Sequence, residues 1–143
     1  MKVRIKRIDK SLPLPEYKTP GAVAFDLSAR VTTTVNARSI AYVPLNVALE
    51  PPVGHMVMLA ARSSLHKRGL MLANGVGIVD RDFSGDEDEY LAALYNFTEA
   101  PVTVERGERI VQAMFKSYEK GEWNEVESLG NKTRGGYGTT GRI

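Results

Sequence analysis

Short runs of alternating apolar residues, separated by glycine and proline turns, most constrain what this chain can fold into. Every second residue is apolar from 43 to 49, the pattern stops at Pro51-Pro52, and it resumes at Val57. A period of two is typical of β-strands with one buried face. The only helical candidate is residues 63–67, where serines could cap one or two turns. Further strands are predicted at residues 3–8, 25–35, 77–79, 90–97, 102–104 and 109–118, which together indicate an all-β barrel or sandwich with one short helix.

The length and composition fit one globular domain. The chain has 143 residues, of which 43% are hydrophobic and 25% are charged. A formal net charge of +2 is too small to indicate a surface that binds nucleic-acid polymers. The absence of cysteine excludes disulfides, zinc–thiolate sites and a cysteine nucleophile. Residues 1–8 alternate apolar and basic side chains and match neither a signal peptide nor a membrane span, so a cytoplasmic location is expected by default.

The glycine-rich segment 134–141 has the composition of a nucleotide clamp. It combines four glycines with Arg134, Tyr137, Thr139 and Thr140. Glycines let backbone N–H groups approach phosphates closely, arginine binds phosphate through two nitrogens, and an aromatic ring can face a base. A disordered polar tail is the alternative for a terminus of this composition. Because the apolar pattern ends near residue 130, we expect a core domain at 1–130 and an arm at 131–143.

Two internal segments carry further polar groups at the ends of apolar strands. Arg62, Ser63 and Ser64 follow one strand at the expected start of the short helix, where free N–H groups attract anions. A simple serine cap beside a surface arginine is the alternative. Asp80 follows Ile78 and Val79 and is therefore expected at the end of a buried strand, where a carboxylate requires a functional or structural partner. An ordinary acidic turn is the alternative there.

Taken together and in order, five segments resemble the sequence motifs of the trimeric all-β deoxyuridine triphosphate nucleotidohydrolases, the dUTPases. The segments are residues 19–27, 62–65, 74–85, 106–112 and 134–141, and they span nearly the whole chain. The resemblance implies a β-clip, jelly-roll-like barrel in a homotrimer, with each active site built from several subunits. It also implies that the mobile arm 131–143 closes over the active site.

The resemblance implies hydrolysis of dUTP to dUMP and pyrophosphate by water attack on the α-phosphorus. Asp80 would activate the water, Asp26 would orient a neighbouring polar group such as an arginine, and Mg²⁺ would be held mainly by phosphates and water. The substrate-binding positions carried over are Arg62, Ser63, Ser64, Asn74, Gly77, Ile78, Val79, Asp80, Phe83, Leu91, Gln112, Arg134, Tyr137, Gly138 and Thr139.

The chain departs from the family pattern at two places near the expected base site. Phe83 replaces a usual tyrosine beneath the deoxyribose, and its ring should still exclude a 2′-hydroxyl by bulk. The acidic stretch 86–89 makes the base-receiving hairpin a few residues longer. Related dCTP deaminases use a glutamate in this hairpin, so Glu87 and Glu89 keep open a deaminase or a bifunctional deaminase and diphosphatase. For the acidic stretch itself, the alternative is a solvated hairpin tip without a catalytic role. For the whole protein, a non-catalytic nucleotide-binding module is a third hypothesis beside the hydrolase and the deaminase.

Overall fold

The computed structural model describes residues 1–141 and is almost entirely β. One short 3₁₀ helix occupies Leu65–Arg68. Within the described range there are eleven strands: β1 Arg4–Arg7, β2 Phe25–Ser28, β3 Thr33–Val35, β4 Ile40–Pro44, β5 Val47–Glu50, β6 His55–Ala61, β7 Leu70–Leu72, β8 Gly77–Val79, β9 Leu91–Asn96, β10 Val102–Val104 and β11 Arg109–Ser117. The predicted all-β, jelly-roll-like class with one short helix is confirmed.

All strand pairs are antiparallel, and most join strands that are distant in the chain. The largest sheet has the order β2-β11-β6-β8, and a second sheet has the order β4-β9-β7. Two further pairs, β1 with β5 and β3 with β10, complete the arrangement. Because β8 stands at the edge of its sheet, one side of its backbone makes no ladder contact with another described strand.

The apolar core lies between the sheets. Val43, Val57, Leu94, Val104 and Val111 have no exposed surface. Successive side chains of a strand point to opposite faces, so Met56, Met58 and Ala60, which alternate with Val57 and Leu59 in β6, point away from this core. The outer face of β6 and β11 is therefore available for other contacts.

Two predicted strands are each broken in the structure. Residues 25–35 form β2 and β3, which pair with β11 and β10 respectively. Residues 43–49 belong to β4 and β5, which are separated at Asn46, a buried residue with φ of 67°. The left-handed backbone at Asn46 redirects the chain to a new partner, an effect that the apolar alternation does not reveal.

The predicted helical turn begins two residues later and ends one residue later than expected, and it is a 3₁₀ helix. Ser64 holds its N-cap position without a side-chain capping bond. The helix is followed by its C-cap residue Gly69, where φ is 77° and an added Cβ atom would clash with Cγ2 of Thr98. Glycine is therefore required there by both conformation and space. Strand β7 follows immediately and was not predicted.

The chain leaves the body of the domain after β11. Tyr118 still donates its N–H to the carbonyl of Gly54. Residues 119–135 are exposed throughout, including Trp123, whose surface is 94% exposed. We call residues 119–141 the tail. The predicted arm 131–143 lies within this tail except for residues 142 and 143, which are outside the described residues. In the described part of the chain, no helix is long and apolar enough to cross a membrane.

Candidate active site

A cavity of about 350 Å³ lies where β8 and the start of β9 approach each other. We call it the base cavity. Seven residues that were predicted to bind the substrate line it, together with three that were not. The predicted ones are Asn74, Gly77, Ile78, Val79, Asp80, Phe83 and Leu91, and the others are Leu59, Glu89 and Tyr90.

The close pairing of β8 with β6 forms one wall of the base cavity. Gly77 is opposite Leu59, and a Cβ atom on this glycine would lie 3.0 Å from that of Leu59. After the strand, Phe83 donates its N–H to the Asp80 carbonyl at 3.2 Å and turns the chain. The expectation that Asp80 ends a buried strand was wrong, because β8 is a three-residue edge strand and Asp80 is exposed. Its carboxylate is accessible to a ligand and to water.

Two stacked aromatic rings form a second wall of the base cavity. The ring centroids of Phe83 and Tyr90 are 6.2 Å apart with an angle of 26° between the planes. Phe83 is 43% exposed, whereas Tyr90 is 1% exposed. Burial raises the pKa of the Tyr90 hydroxyl, which has no hydrogen-bond partner among the described residues. Phe83 therefore presents a ring surface that the buried Tyr90 supports from behind.

A second concave region has four cationic side chains among the nine residues that line it. It measures about 480 Å³ and lies between the end of β6, the 3₁₀ helix and the turn before β11. We call it the cation cradle. Its lining includes Ser64 but not Ser63, which is exposed nearby. The full lining is Arg62, Ser64, Leu65, Lys67, Arg68, Gly107, Glu108, Arg109 and Ile110.

Asp26 fixes two of the arginines of the cation cradle. Its Oδ1 lies 3.1 Å from Nε of Arg62, and its Oδ2 accepts a hydrogen bond of 3.0 Å from Nη1 of Arg109. Arg62 also donates from Nη1 to the Arg109 carbonyl at 3.0 Å. Gln112 pairs with Asp26 across β2 and β11 and donates to the Ala61 carbonyl at 2.9 Å. This arrangement holds both guanidinium groups in place before any anion arrives.

Sequence reasoning did not include Arg109 among the binding residues, although it belongs to the fourth motif-like segment. The observation that indicates a role for Arg109 is the pairing of β2 with β11. This pairing brings Arg109 into contact with Asp26, although the two residues are 83 positions apart in the sequence. Glu89 was considered only as a candidate deaminase glutamate and Tyr90 only as the first residue of a predicted strand, so neither was predicted to line the base cavity.

Among residues 1–141, the base cavity and the cation cradle share no lining residue. The structure also does not bring the tail residues Arg134, Tyr137, Gly138 and Thr139 to either region. These tail residues instead lie at a local turn, in which Gly136 donates its N–H to Oγ1 of Thr139 at 2.6 Å. The predicted site residues therefore form three separate groups within one subunit.

The carboxylates beside the cation cradle are engaged by arginines. Asp26 contacts Arg62 and Arg109, and Glu108 forms an ion pair with Arg68. In the part of the chain that the structure describes, no cluster of three or more histidine, cysteine, aspartate or glutamate side chains could hold a metal ion. The cradle is thus suited to receive an anion, either alone or with its own counterion.

Comparisons with known proteins agree on one family. The dUTPase family model matches residues 10–142. A Dictyoglomus turgidum protein described as deoxyuridine 5′-triphosphate nucleotidohydrolase is 35% identical, and the match covers 99% of both chains. A protein of the same description from Desulfitobacterium hafniense is 39% identical, with coverage of 99% of this chain and 95% of that protein.

Solved structures support the same assignment. A dUTPase from Streptococcus mutans is 33% identical, with a TM-score of 0.77 over 83% of this chain and 98% of that one. The dUTPase of Staphylococcus bacteriophage 80alpha, solved as a G164S mutant with dUpNHpp, has a TM-score of 0.86 over 99% of each chain. At 17% identity, that second likeness supports the fold alone. The family-model match and the relatives above 30% identity show that this chain belongs to the dUTPase family.

Proposed function

We propose that this protein hydrolyses dUTP to dUMP and pyrophosphate. The observation that carries the proposal is the combination of an aromatic-walled cavity with Asp80 at its rim and a separate cradle lined by arginines. The first suits a nucleoside and the second suits a triphosphate. The chain's membership of the dUTPase family supports the same reaction.

Backbone groups in the base cavity would recognise uracil. β8 is an edge strand, so its free backbone donors and acceptors can pair with the base, as can groups near Leu91 at the start of β9. The exposed Phe83 ring would lie under the deoxyribose and exclude a ribose 2′-hydroxyl by its bulk. Asn74, Gly77, Ile78 and Val79 would complete the base contacts.

Asp80 would act as the general base of the reaction. Its exposed carboxylate can orient a water molecule and accept its proton as the water attacks the α-phosphorus. Carboxylates are weak bases at neutral pH, so most of the rate acceleration must come from positioning and from neutralisation of phosphate charge.

The cation cradle would supply that neutralisation. Arg62, Ser63, Ser64 and Gln112 would contact the phosphates, and we add Arg109 because Asp26 holds it beside Arg62. Asp26 would act by orienting these arginines. Arg134 of the tail would contact the terminal phosphate.

We expect Mg²⁺ to arrive bound to the substrate, because the described residues form no carboxylate cluster that could hold it. Asp26 and Glu108 are neutralised by arginines, so phosphate oxygens and water would provide most of the metal ligands, which suits this small, hard ion. When bound, Mg²⁺ would supply further neutralisation of triphosphate charge. No dedicated protein carboxylate is required.

We further propose that the active sites are shared within a homotrimer. The base cavity and the cation cradle lie in different parts of one subunit, and the exposed tail contacts neither. A neighbouring subunit would place its cradle against the base cavity. Another tail would then bring Arg134, Tyr137, Gly138 and Thr139 over the bound nucleotide.

The structure favours hydrolysis over deamination. Glu87 is exposed and does not line the base cavity, and Glu89 is engaged by Arg30. Neither glutamate is therefore placed as a free base beside a nucleobase. A non-catalytic binding module is disfavoured by the accessible Asp80 carboxylate at the cavity rim.

Incubation with Mg²⁺ and each of dUTP, dCTP, dTTP and UTP tests the proposed function. We expect dUMP and pyrophosphate from dUTP, and at least about tenfold lower kcat/KM with the other nucleotides. Arg62→Ala should lower the rate with dUTP, whereas Arg38→Ala, which removes an exposed arginine paired with Glu99, should not. Release of ammonia from dCTP, with dUTP left intact, would instead assign a deaminase.

A further inference from the structure

The acidic stretch 86–89 has an unexpected structural partner at its end. The two oxygens of Glu89 contact Arg30, with Nε to Oε1 at 2.7 Å and Nη2 to Oε2 at 3.0 Å. The backbone N–H of Asn46 also donates to Oε1 at 2.9 Å. Only 13% of the Glu89 side chain and 29% of the Arg30 side chain are exposed. This forked, sheltered pair differs from the solvated tip expected for the whole stretch.

We propose that Glu89, held by Arg30, is a positioning residue that sets the aromatic wall of the base cavity and thereby the affinity for the nucleoside. Glu89 itself lines the base cavity and directly precedes Tyr90, whose ring supports Phe83. The inference rests on the proposed function, because it assigns the wall to nucleoside binding.

The Arg30–Glu89 pair is anchored to the fold on its far side. Arg30 donates its own N–H to the Pro44 carbonyl at 2.8 Å. Asn46, with φ of 67°, exchanges hydrogen bonds with the backbone of Asp9 at 2.6 and 3.0 Å. These contacts fix both partners of the Glu89 carboxylate, so the carboxylate has a single favourable position.

Backbone hydrogen bonds connect the position of the Glu89 carboxylate to that of Tyr90 in the wall of the base cavity. Tyr90 donates its N–H to the Val47 carbonyl, and its carbonyl accepts from the N–H of Leu45, both at 2.9 Å. Residues 45–47 therefore hold Glu89 through its side chain and Tyr90 through its backbone. A shift of the carboxylate would move the Tyr90 ring, and the Phe83 ring stacked on it.

The rest of the acidic stretch shows why such an anchor is needed. Asp86 contacts Lys6 through its carbonyl at 2.9 Å and its carboxylate at 3.3 Å, and the side chains are largely exposed for Asp86 and half-exposed for Lys6. Asp88 accepts a local bond from the Gly85 N–H at 2.7 Å. Exposed contacts of this kind hold a loop weakly. We therefore expect the sheltered Arg30–Glu89 pair to keep motion of this loop from reaching the wall of the base cavity.

Steady-state kinetics of Glu89→Gln with dUTP tests the proposal, with Glu87→Gln as the matched control. Both variants remove one negative charge from the same stretch, but Glu87 is exposed. We expect KM to rise about tenfold in Glu89→Gln with kcat changed by less than about threefold, because the wall contributes binding that is common to substrate and transition state. Glu87→Gln should match the parent in both constants.

Arg30→Lys provides a second, milder variant, since lysine keeps the positive charge but cannot contact both oxygens of Glu89 through two guanidinium nitrogens. We expect an intermediate rise in KM. In the double variant with Glu89→Gln, KM should rise no further than in Glu89→Gln alone, because the two residues act as a unit. Additive effects on KM, or a fall in kcat of more than tenfold in folded Glu89→Gln, would overturn the positioning role.

Hydrogen exchange in the free protein tests the same proposal without activity. The amides of Asn46 and Tyr90 should exchange faster in Glu89→Gln and at the parent rate in Glu87→Gln. Unchanged exchange together with a parent-like KM would refute the inference while leaving dUTP hydrolysis intact. A parent protein that fails to hydrolyse dUTP would refute the proposed function instead, and the exchange rates would still report on the wall.

Discussion

At the scale of single residues, the proposed mechanism depends on the positions of Asp80 and Asp26. Asp80 is an exposed carboxylate at the end of an edge strand, free to meet substrate and water. Asp26 is 16% exposed at its side chain and bonded to two arginines. The Asp80 carboxylate can therefore take part in proton transfer, whereas the Asp26 carboxylate orients the two arginines that it contacts.

Replacing Asp80 by asparagine should separate binding from catalysis. Asp80→Asn preserves shape but removes the base, so we expect turnover to fall by about 100-fold or more, equivalent to about 2.7 kcal/mol in the barrier. Binding of a non-hydrolysable dUTP analogue, measured by calorimetry, should change by less than about threefold. A purified Asp80→Asn protein with parental turnover would remove Asp80 from the mechanism.

At the scale of elements, the sequence indicates local structure well and long-range partners poorly. Most strands were predicted from alternation, because that period is a local consequence of one buried face. β7, with the sequence Leu-Met-Leu, was missed because three consecutive apolar residues have no period. The break at Asn46 was missed because its cause is a left-handed backbone angle.

The same limit applies to the candidate site. Asn74, Asp80 and Phe83 lie close together in the chain, so one segment predicted their shared cavity. Arg30 and Glu89 are 59 residues apart, and only the folded sheets bring them together. If the active sites are shared between subunits as proposed, the bound positions of the tail residues depend on contacts that one chain does not contain.

The tail is expected to contribute to activity and little to the stability of the fold. Deleting every residue after Lys132 should leave the melting temperature within about 2 °C of the parent, since β11 ends at Ser117 and flexible termini contribute little to stability. Turnover of dUTP should nevertheless fall about 100-fold or more, because the proposed closure would supply Arg134, the Tyr137 ring and exclusion of water.

Hydrogen exchange provides the control for tail closure. Amides of residues 135–141 should exchange rapidly in the free protein and become protected with Mg²⁺ and a dUTP analogue. Equal exposure in the saturated complex, combined with full activity of the truncated protein, would identify the segment as a passive polar tail.

At the scale of the whole molecule, shared active sites predict complementation between two inactive variants. Asp80→Asn and Arg62→Ala damage the base cavity and the cation cradle, which share no lining residue in the described chain. If a site takes its cavity and its cradle from different subunits, co-expression should restore about a quarter of the sites in randomly mixed trimers. Sites complete within one subunit would give only the sum of the two residual activities.

The most direct measurement of the central claim is hydrolysis of dUTP in ¹⁸O-labelled water, with both products analysed by mass spectrometry. Attack of water on the α-phosphorus places one labelled oxygen in dUMP and none in pyrophosphate. We predict that result, with stoichiometric dUMP and pyrophosphate. Label in pyrophosphate, or no consumption of dUTP by the folded protein in the presence of Mg²⁺, would contradict the account.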